Sequence, residues 1–143
     1  MRRLLLVVSD SPASTRESAA AAIELYRREP LVLHLLSVQP SVSGHVAMYF
    51  QGAELKQIQR AAGAEELAPA QAMMEAAGVR CTTRVSIGRR AETIARAADE
   101  LGCDRIMVAG DRDRSVAGKL LGSLAQQVRH LVGGQGGCQV IGS

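Results

Sequence analysis

The sequence is poor in aromatic residues. Its 143 residues include no tryptophan, two tyrosines and one phenylalanine, so aliphatic side chains and alanine must supply any core. A chain of this length is typical of one domain and buries enough surface to fold without disulfides or metals. We therefore predict a single domain over residues 1–143 with an aliphatic core.

The chain also lacks a block of basic residues. Its 17 lysines and arginines exceed its 14 acidic residues and give a formal net charge of +3, but they are scattered along the sequence. Proteins that bind nucleic acid usually combine a basic stripe or groove with stacking aromatic side chains, and neither is visible. We interpret the scattered charges as a solvated surface and predict no nucleic-acid partner.

Long apolar runs are missing as well. No stretch approaches the roughly 20 apolar residues that span a membrane. The apolar run Leu4–Val8 is too short for a signal peptide. The cysteines Cys81, Cys103 and Cys138 form no CxxC pair, and an odd number without an export signal is typical of reduced thiols. We predict a cytoplasmic protein that does not bind membranes.

Motifs for metal binding and covalent catalysis are absent from the sequence. His34, His45 and His130 have no metal-binding spacing, so we predict no metal site. No GxSxG elbow surrounds a serine. The pair Gly118-Lys119 is followed by Leu120, where a P-loop needs serine or threonine. We therefore name no catalytic residue.

Five short strand patterns alternate with four helical patterns along the chain. The predicted strands are Leu4–Val8, Leu31–Val38, Val79–Val85, Arg105–Ala109 and Cys138–Ile141. The predicted helices run from a capping box at Ser14 and Glu17 to Arg28, from Ala53 to Ala77, from Ala91 to Leu101, and from Leu120 to Leu131. Pro69 predicts a kink or a new helix start, and Gly78 predicts a helix end.

This alternation predicts an α/β fold, a doubly wound five-stranded and mostly parallel sheet of the Rossmann-like type. The polar third strand indicates an edge position. If the strand order is 3-2-1-4-5, the order reverses between the first and fourth strands, and such sheets bind ligands at that point, outside the carboxyl ends of the strands. Ser9 and Gly110 would then face each other across a ligand crevice.

Several segments resemble the universal stress protein family. The strand and turn Leu4–Ser11 resembles the family's opening strand and Asp-x-Ser turn. The stretch from Ala98 to Gly110, with Cys103-Asp104 before the strand, resembles its A-D-x-I-V-x-G fourth strand. Residues 120–123, Leu-Leu-Gly-Ser, resemble the entry to its last helix. Residues 138–141 resemble its closing C-P-V-x-V strand, with Gln139 in place of proline. The resemblance spans nearly the whole chain and implies one domain of the adenine-nucleotide-binding type.

The resemblance further implies a site for ATP or another adenine nucleotide, with Mg²⁺ only alongside the nucleotide. Family members that bind ATP carry a loop written G-x-x-G, nine residues, and G-S/T. Gly110 matches the first glycine of that loop, and Gly122-Ser123 match its last pair. The residues implied to contact the nucleotide are Ser9, Val38, Ala109, Gly110, Arg112, Gly122, Ser123 and Leu124.

Two positions depart from the family pattern. Asp113 stands at the second glycine, one residue too close to Gly122, and Ser9 stands where nucleotide-binding members have an acidic residue. A carboxylate beside a triphosphate repels it, although Arg112 in the same loop could neutralise that charge.

Two hypotheses stay open as a result. One is a regulatory stress-response module with a degenerate adenine-nucleotide site at the carboxyl ends of the first and fourth strands. The other is a nucleotide-independent dimeric interaction protein of the same fold. A third, an enzyme that uses ATP, lacks a convincing nucleophile or base, and at most slow ATP hydrolysis is expected.

A homodimer is predicted under either hypothesis. The fifth strand, Cys138–Ile141, is short and apolar and lies at an edge of the predicted sheet. The family resemblance implies pairing through that strand. A further protein partner is expected for a regulatory module, without a sequence feature that identifies it.

Overall fold

The computed structural model describes residues 1–41, 52–110, 123–132 and 138–142. Strands and helices alternate along these ranges. The elements are β1 Arg2–Val7, α1 Pro12–Arg28, β2 Leu31–Gln39, α2 Gly52–Ala77, β3 Cys81–Ile87, α3 Arg90–Leu101, β4 Arg105–Val108, α4 Leu124–Val132 and β5 Gln139–Gly142. The predicted alternation of strands and helices is therefore confirmed.

The five strands form one sheet in the order β3-β2-β1-β4-β5. All four neighbouring pairs are parallel, which confirms the predicted order and the edge position of β3. β1 lies at the centre, where Leu4 pairs with Leu33 of β2 and with Arg105 of β4. Because the strand order reverses between β1 and β4, the carboxyl ends of these two strands mark the switch point of the sheet.

Aliphatic side chains fill both faces of the sheet. Successive residues of a strand point to opposite faces, so β1 supplies both cores. Leu5 and Val7 belong to the cluster that α3 and α4 cover, whereas Leu4 and Leu6 belong to the cluster that α1 and α2 cover. Residues 4–8 are fully buried. The continuous apolar run is thus explained by burial on both faces.

The first helix begins earlier than its predicted capping box. Ser11 is the N-cap of α1, and its Oγ accepts a hydrogen bond of 3.3 Å from the backbone N–H of Ser14. Pro12 occupies the first turn, where its fixed φ suits the helix and its missing N–H leaves no bond unmade. The capping box predicted at Ser14 and Glu17 is wrong, because proline favours the serine before it as the cap.

The long helix α2 continues through Pro69. A proline inside a helix removes one backbone bond, but Leu67 and Ala70 beside it are buried against the sheet. Packing on both sides of the proline therefore holds one helix, and the alternative of a second helix starting there is wrong. Gly78 ends the helix with a φ of +70°, as predicted.

Parts of the predicted pattern lie outside the described residues. These are most of the segment from Gln39 to Gly52, the start of the last predicted helix at Leu120, and the glycine-rich connector 133–137. Within the described ranges, no helix is both long enough and apolar enough to cross a membrane.

The three cysteines are unpaired thiols packed in the structure. Cys103 is buried, and Cys81 and Cys138 are half-buried. Burial, and then the neighbouring Cys138 and Asp104, raise the pKa of the Cys103 thiol to about 11. Cys103 is therefore a neutral thiol at ordinary pH and packs as a small apolar side chain.

His34 lies inside β2 as a half-buried side chain. Its Nδ1 contacts Oγ1 of Thr82 on the neighbouring strand β3. Burial, and then the positive charge of Arg3, lower the pKa of His34 below its ordinary 6.5. The unfolded chain therefore binds a proton at a pH where the folded protein does not.

We predict that His34 makes the protein less stable in mild acid. The stability that neutral His34 contributes is complete above its unfolded pKa of 6.5 and is lost as pH falls toward the lower folded value. Urea unfolding at about pH 7.5 and about pH 5 should show a smaller loss of stability for His34→Gln than for the wild-type protein. His130→Gln, on the exposed side of α4, is the control and should follow the wild-type protein. Equal losses for His34→Gln and wild type would contradict the prediction.

Candidate functional site

The predicted ligand crevice would lie between the carboxyl ends of β1 and β4, which pair in parallel. The N–H of Ala109 donates to the carbonyl of Val7 at 2.9 Å, which continues the pairing of β1 and β4 one residue past β4. Gly110 follows with a φ of +60°. A Cβ on Gly110 would lie 3.3 Å from Oγ of Ser9 and 3.1 Å from Oγ of Ser14. The structure thus brings Ser9 and Gly110 together, at a point where only glycine fits without strain.

Ser9 is tied into the first turn of α1. Its backbone N–H donates to Oγ1 of Thr15 at 3.1 Å, and that hydroxyl donates to the carbonyl of Ser9 at 3.2 Å. Its own Oγ accepts from the N–H of Ser11 at 3.2 Å and donates to the carbonyl of Ser11 at 3.3 Å. Ser9 is only 7% exposed. A ligand at this position must therefore compete with bonds that already shape the turn.

Ser123 caps the start of α4 through a reciprocal pair of hydrogen bonds. Its Oγ accepts from the N–H of Gln126 at 3.1 Å, and its own N–H donates to Oε1 of Gln126 at 2.9 Å. This is a capping box, in which each residue satisfies a backbone donor of the other. The sequence analysis missed it, although the spacing of serine and glutamine three residues apart was visible. Both polar groups of Ser123 are occupied in this arrangement.

Val38 and Leu124 are packed side chains of the site region. Both belong to the apolar cluster between the sheet and the helices α3 and α4. Their exposed fractions are 5% and 8%, and Ala109 is 1% exposed. Any contact of these residues with a ligand must therefore come mainly from their backbone groups. Arg112 and Gly122 of the predicted site, and Asp113 beside them, lie outside the described residues.

An acidic cavity lies beside the end of β1, on the side of α1 and α2. Its volume is about 280 Å³, and its lining residues are Ser9, Asp10, Pro12, Ala62, Glu65, Glu66 and Pro69. The cavity shares Ser9 with the crevice. Its acidic lining favours groups that donate hydrogen bonds and repels phosphates.

A buried polar chain orients one wall of this cavity. Ser37, which is fully buried, donates its hydroxyl to Oε1 of Glu66 at 2.9 Å and accepts from Nε2 of Gln39 at 3.0 Å. The sequence analysis missed Glu66, which lies on a helix without a motif. The available signal was the pair of polar residues Ser37 and Gln39 in an otherwise apolar strand.

The described residues show no metal centre. Nowhere in the described ranges do three histidine, cysteine, aspartate or glutamate side chains come together to hold a metal ion. Asp104, the acidic residue of the family-like fourth strand, lies at the amino end of β4, away from the carboxyl ends of the strands, and its Oδ1 accepts from the N–H of Arg3 at 2.9 Å.

Comparison with known proteins identifies the family. No match is found among curated proteins. Among solved structures, the chain resembles a universal stress protein family member from Burkholderia pseudomallei, with 26% identity, 99% of this chain and 94% of that chain covered, and a TM-score of 0.66. It also resembles a universal stress protein in complex with cAMP, with 18% identity, coverage of 99% and 96%, and a TM-score of 0.71.

A third similar structure is the universal stress protein from Archaeoglobus fulgidus in complex with dAMP. It shares 14% identity over 99% of this chain and 97% of that chain, with a TM-score of 0.65. At these low identities the cAMP and dAMP complexes show that the fold is shared. The family model of the universal stress proteins matches residues 1–132, which is most of the chain. The chain therefore belongs to the universal stress protein family.

Proposed function

We propose that this protein is a regulatory stress-response module that binds an adenine nucleotide, such as ATP, at a degenerate site between the ends of β1 and β4. The observation that carries the proposal is the close approach of Gly110, with its positive φ, to Ser9 at the switch point of the sheet. Relatives of the same fold were crystallised with cAMP and dAMP, which supports an adenine nucleotide as the ligand.

The charge distribution favours one direction for the nucleotide. Its phosphates would lie toward Gly110 and Ser123, near the amino end of α4, because backbone N–H groups at a helix start favour anions. Its ribose and base would lie toward the cavity of Asp10 and Glu66, whose carboxylates accept hydrogen bonds from hydroxyl and amino groups. The reverse direction would place phosphates against carboxylates.

The same contacts predict weak binding. Oγ of Ser9 and the N–H of Ser123 are the groups nearest to a ligand in this arrangement, and both already have partners within the protein. A nucleotide would replace these bonds rather than add to them, so its net gain is small. We propose no catalytic residue and at most slow ATP hydrolysis, with Mg²⁺ arriving bound to the nucleotide.

A nucleotide-independent interaction role is the second candidate. The observation in its favour is that the hydroxyl oxygens and backbone N–H groups of Ser9 and Ser123 already have partners within the described turns. In either case we propose a homodimer through β5, whose Val140 is apolar and lies at the sheet edge. A further protein partner is part of the proposal.

The unpaired thiols favour a reducing compartment, and we propose that the protein is located in the cytoplasm.

The proposal predicts that Ser9→Asp strengthens nucleotide binding. Aspartate can keep the acceptor for the N–H of Ser11 and adds a second oxygen for the ribose or base, so calorimetry with ATP and Mg²⁺ should show about tenfold tighter binding. Ser9→Asn is the matched control, because it has a similar shape without the charge, and it should bind as the wild-type protein does.

A cheap absorbance measurement accompanies this titration. The chain has no tryptophan and two tyrosines, so after equilibrium dialysis against ATP, with the dialysis buffer as the blank, any bound adenine would dominate the ultraviolet spectrum of the protein. If the wild-type protein and Ser9→Asp show neither bound adenine nor a thermal shift with millimolar ATP and Mg²⁺, the nucleotide site is refuted and the interaction role remains.

A second prediction concerns the other end of the site. Gln126→Ala removes the side chain that occupies the N–H of Ser123, so this donor becomes available to a phosphate and ATP should bind about threefold more tightly. Gln126→Glu keeps the capping box but adds a negative charge, so it should weaken ATP binding. Adenosine, which has no phosphate, is the control ligand, and its affinity should be the same for all three proteins. An unchanged ATP affinity in both variants would place the phosphates elsewhere.

A further inference from the structure

Arg129 makes an unusual contact for an exposed arginine. It lies on α4, and its Nε and Nη2 both donate to the backbone carbonyl of Val140 in β5, at 3.2 and 3.0 Å. In the described ranges, the arginine ion pairs are Arg27–Glu24, Arg84–Glu100 and Arg105–Glu29, and Arg129 is in none of them. Its polar contact is thus with the main chain of a strand.

The carbonyl that Arg129 binds lies on the free side of β5. The N–H of Gln139 donates to the carbonyl of Asp104 at 2.9 Å, toward β4. Neighbouring residues of a strand direct their backbone groups to opposite sides, so the N–H and carbonyl of Val140 point away from β4. β5 is the last strand in the order, and this side is therefore the edge of the sheet.

No strand in the described part of the chain pairs with this edge, and a second copy of the chain would pair there. Two β5 strands related by a two-fold axis would run antiparallel. The N–H of Val140 in each copy would then meet the Val140 carbonyl of the other, so that one pairing satisfies both outward groups. Arg129 already holds this carbonyl with a charged donor, which forms stronger hydrogen bonds than a neutral N–H.

We propose that Arg129 is an autoinhibitory contact that limits self-association through the edge of β5. A second copy must displace the guanidinium from the carbonyl of Val140 before the two strands pair. Arg129 is an exposed residue as a whole, although its bonds to Val140 are partly buried, so its guanidinium can turn into solvent without unpacking the core. This inference rests on the proposed dimer through β5 and adds the group that regulates it. It does not involve the nucleotide site.

The test is sedimentation equilibrium of the full chain. Arg129→Ala removes the competitor, and its dimer dissociation constant should fall about tenfold below that of the wild-type protein, because one charged hydrogen bond no longer opposes pairing. Arg129→Lys keeps the charge but offers a single terminal amine, so its constant should lie between the two. Arg27→Ala removes the same charge from an exposed site on α1 and should match the wild-type protein.

Hydrogen exchange locates the interface in the same samples. The amide of Val140 points outward in the monomer, so its exchange should slow as the concentration of Arg129→Ala rises, while residues of the opposite edge strand β3 should not change. Slowing at β3 instead of Val140 would overturn the proposal.

The possible outcomes test the inhibitory contact of Arg129 and the proposed wild-type dimer separately. Tighter association of Arg129→Ala supports the inhibitory contact, and a wild-type protein that stays monomeric beside it would refute only the proposed wild-type dimer. Equal or weaker association of Arg129→Ala would overturn the inhibitory contact, whatever the wild-type protein does. If circular dichroism shows that Arg129→Ala does not fold, Arg129→Lys decides by the same criterion.

Discussion

Burial of β1 on both faces is the constraint on which the rest of the structure depends. Residues 4–8 are fully buried, and alternate side chains of the strand enter the two cores. A strand of this kind must have a neighbour on each side and helices above and below. β2 and β4 are those neighbours, and the chain reaches them in opposite directions from β1. The crevice at Ser9 and Gly110 is a direct consequence, since it lies where the two directions diverge.

The polar groups at this crevice have two uses that compete. The hydroxyls of Ser9, Ser11 and Ser123 satisfy backbone donors at the starts of α1 and α4. A phosphate or a ribose would need donors and acceptors at the same places. Each bond to a ligand therefore costs a bond within a turn, and affinity depends on the small difference between the two. The same scaffold can thus support a nucleotide site or a closed surface, depending on a few side chains.

The sequence predicted the strands, their order and the switch point at which Ser9 meets Gly110, because buried strands and helices have periods that local patterns reveal. The sequence-based prediction failed where the structure depends on two residues that compete for one role, or on contacts between residues that are distant in the chain. Ser11 and Ser14 both resemble caps, and Pro12 decides between them. Glu66 reaches Ser37 across 29 positions of the chain, which no local pattern shows. Packing around Pro69 likewise overrides its tendency to end a helix.

Gln139 connects the family resemblance to the edge of the sheet. Its N–H donates to the carbonyl of Asp104, a bond that the proline of the family pattern cannot make. Asp104 also accepts from the N–H of Arg3, so this residue ties the amino end of β1 to that of β5. The tie agrees with the register of β5, in which Gln139 pairs with Arg105 and Val140 with Ile106. The carbonyl that Arg129 binds belongs to the next residue and faces the other side of the strand, so the departure at Gln139 stands beside the contact that we propose as a control of the edge.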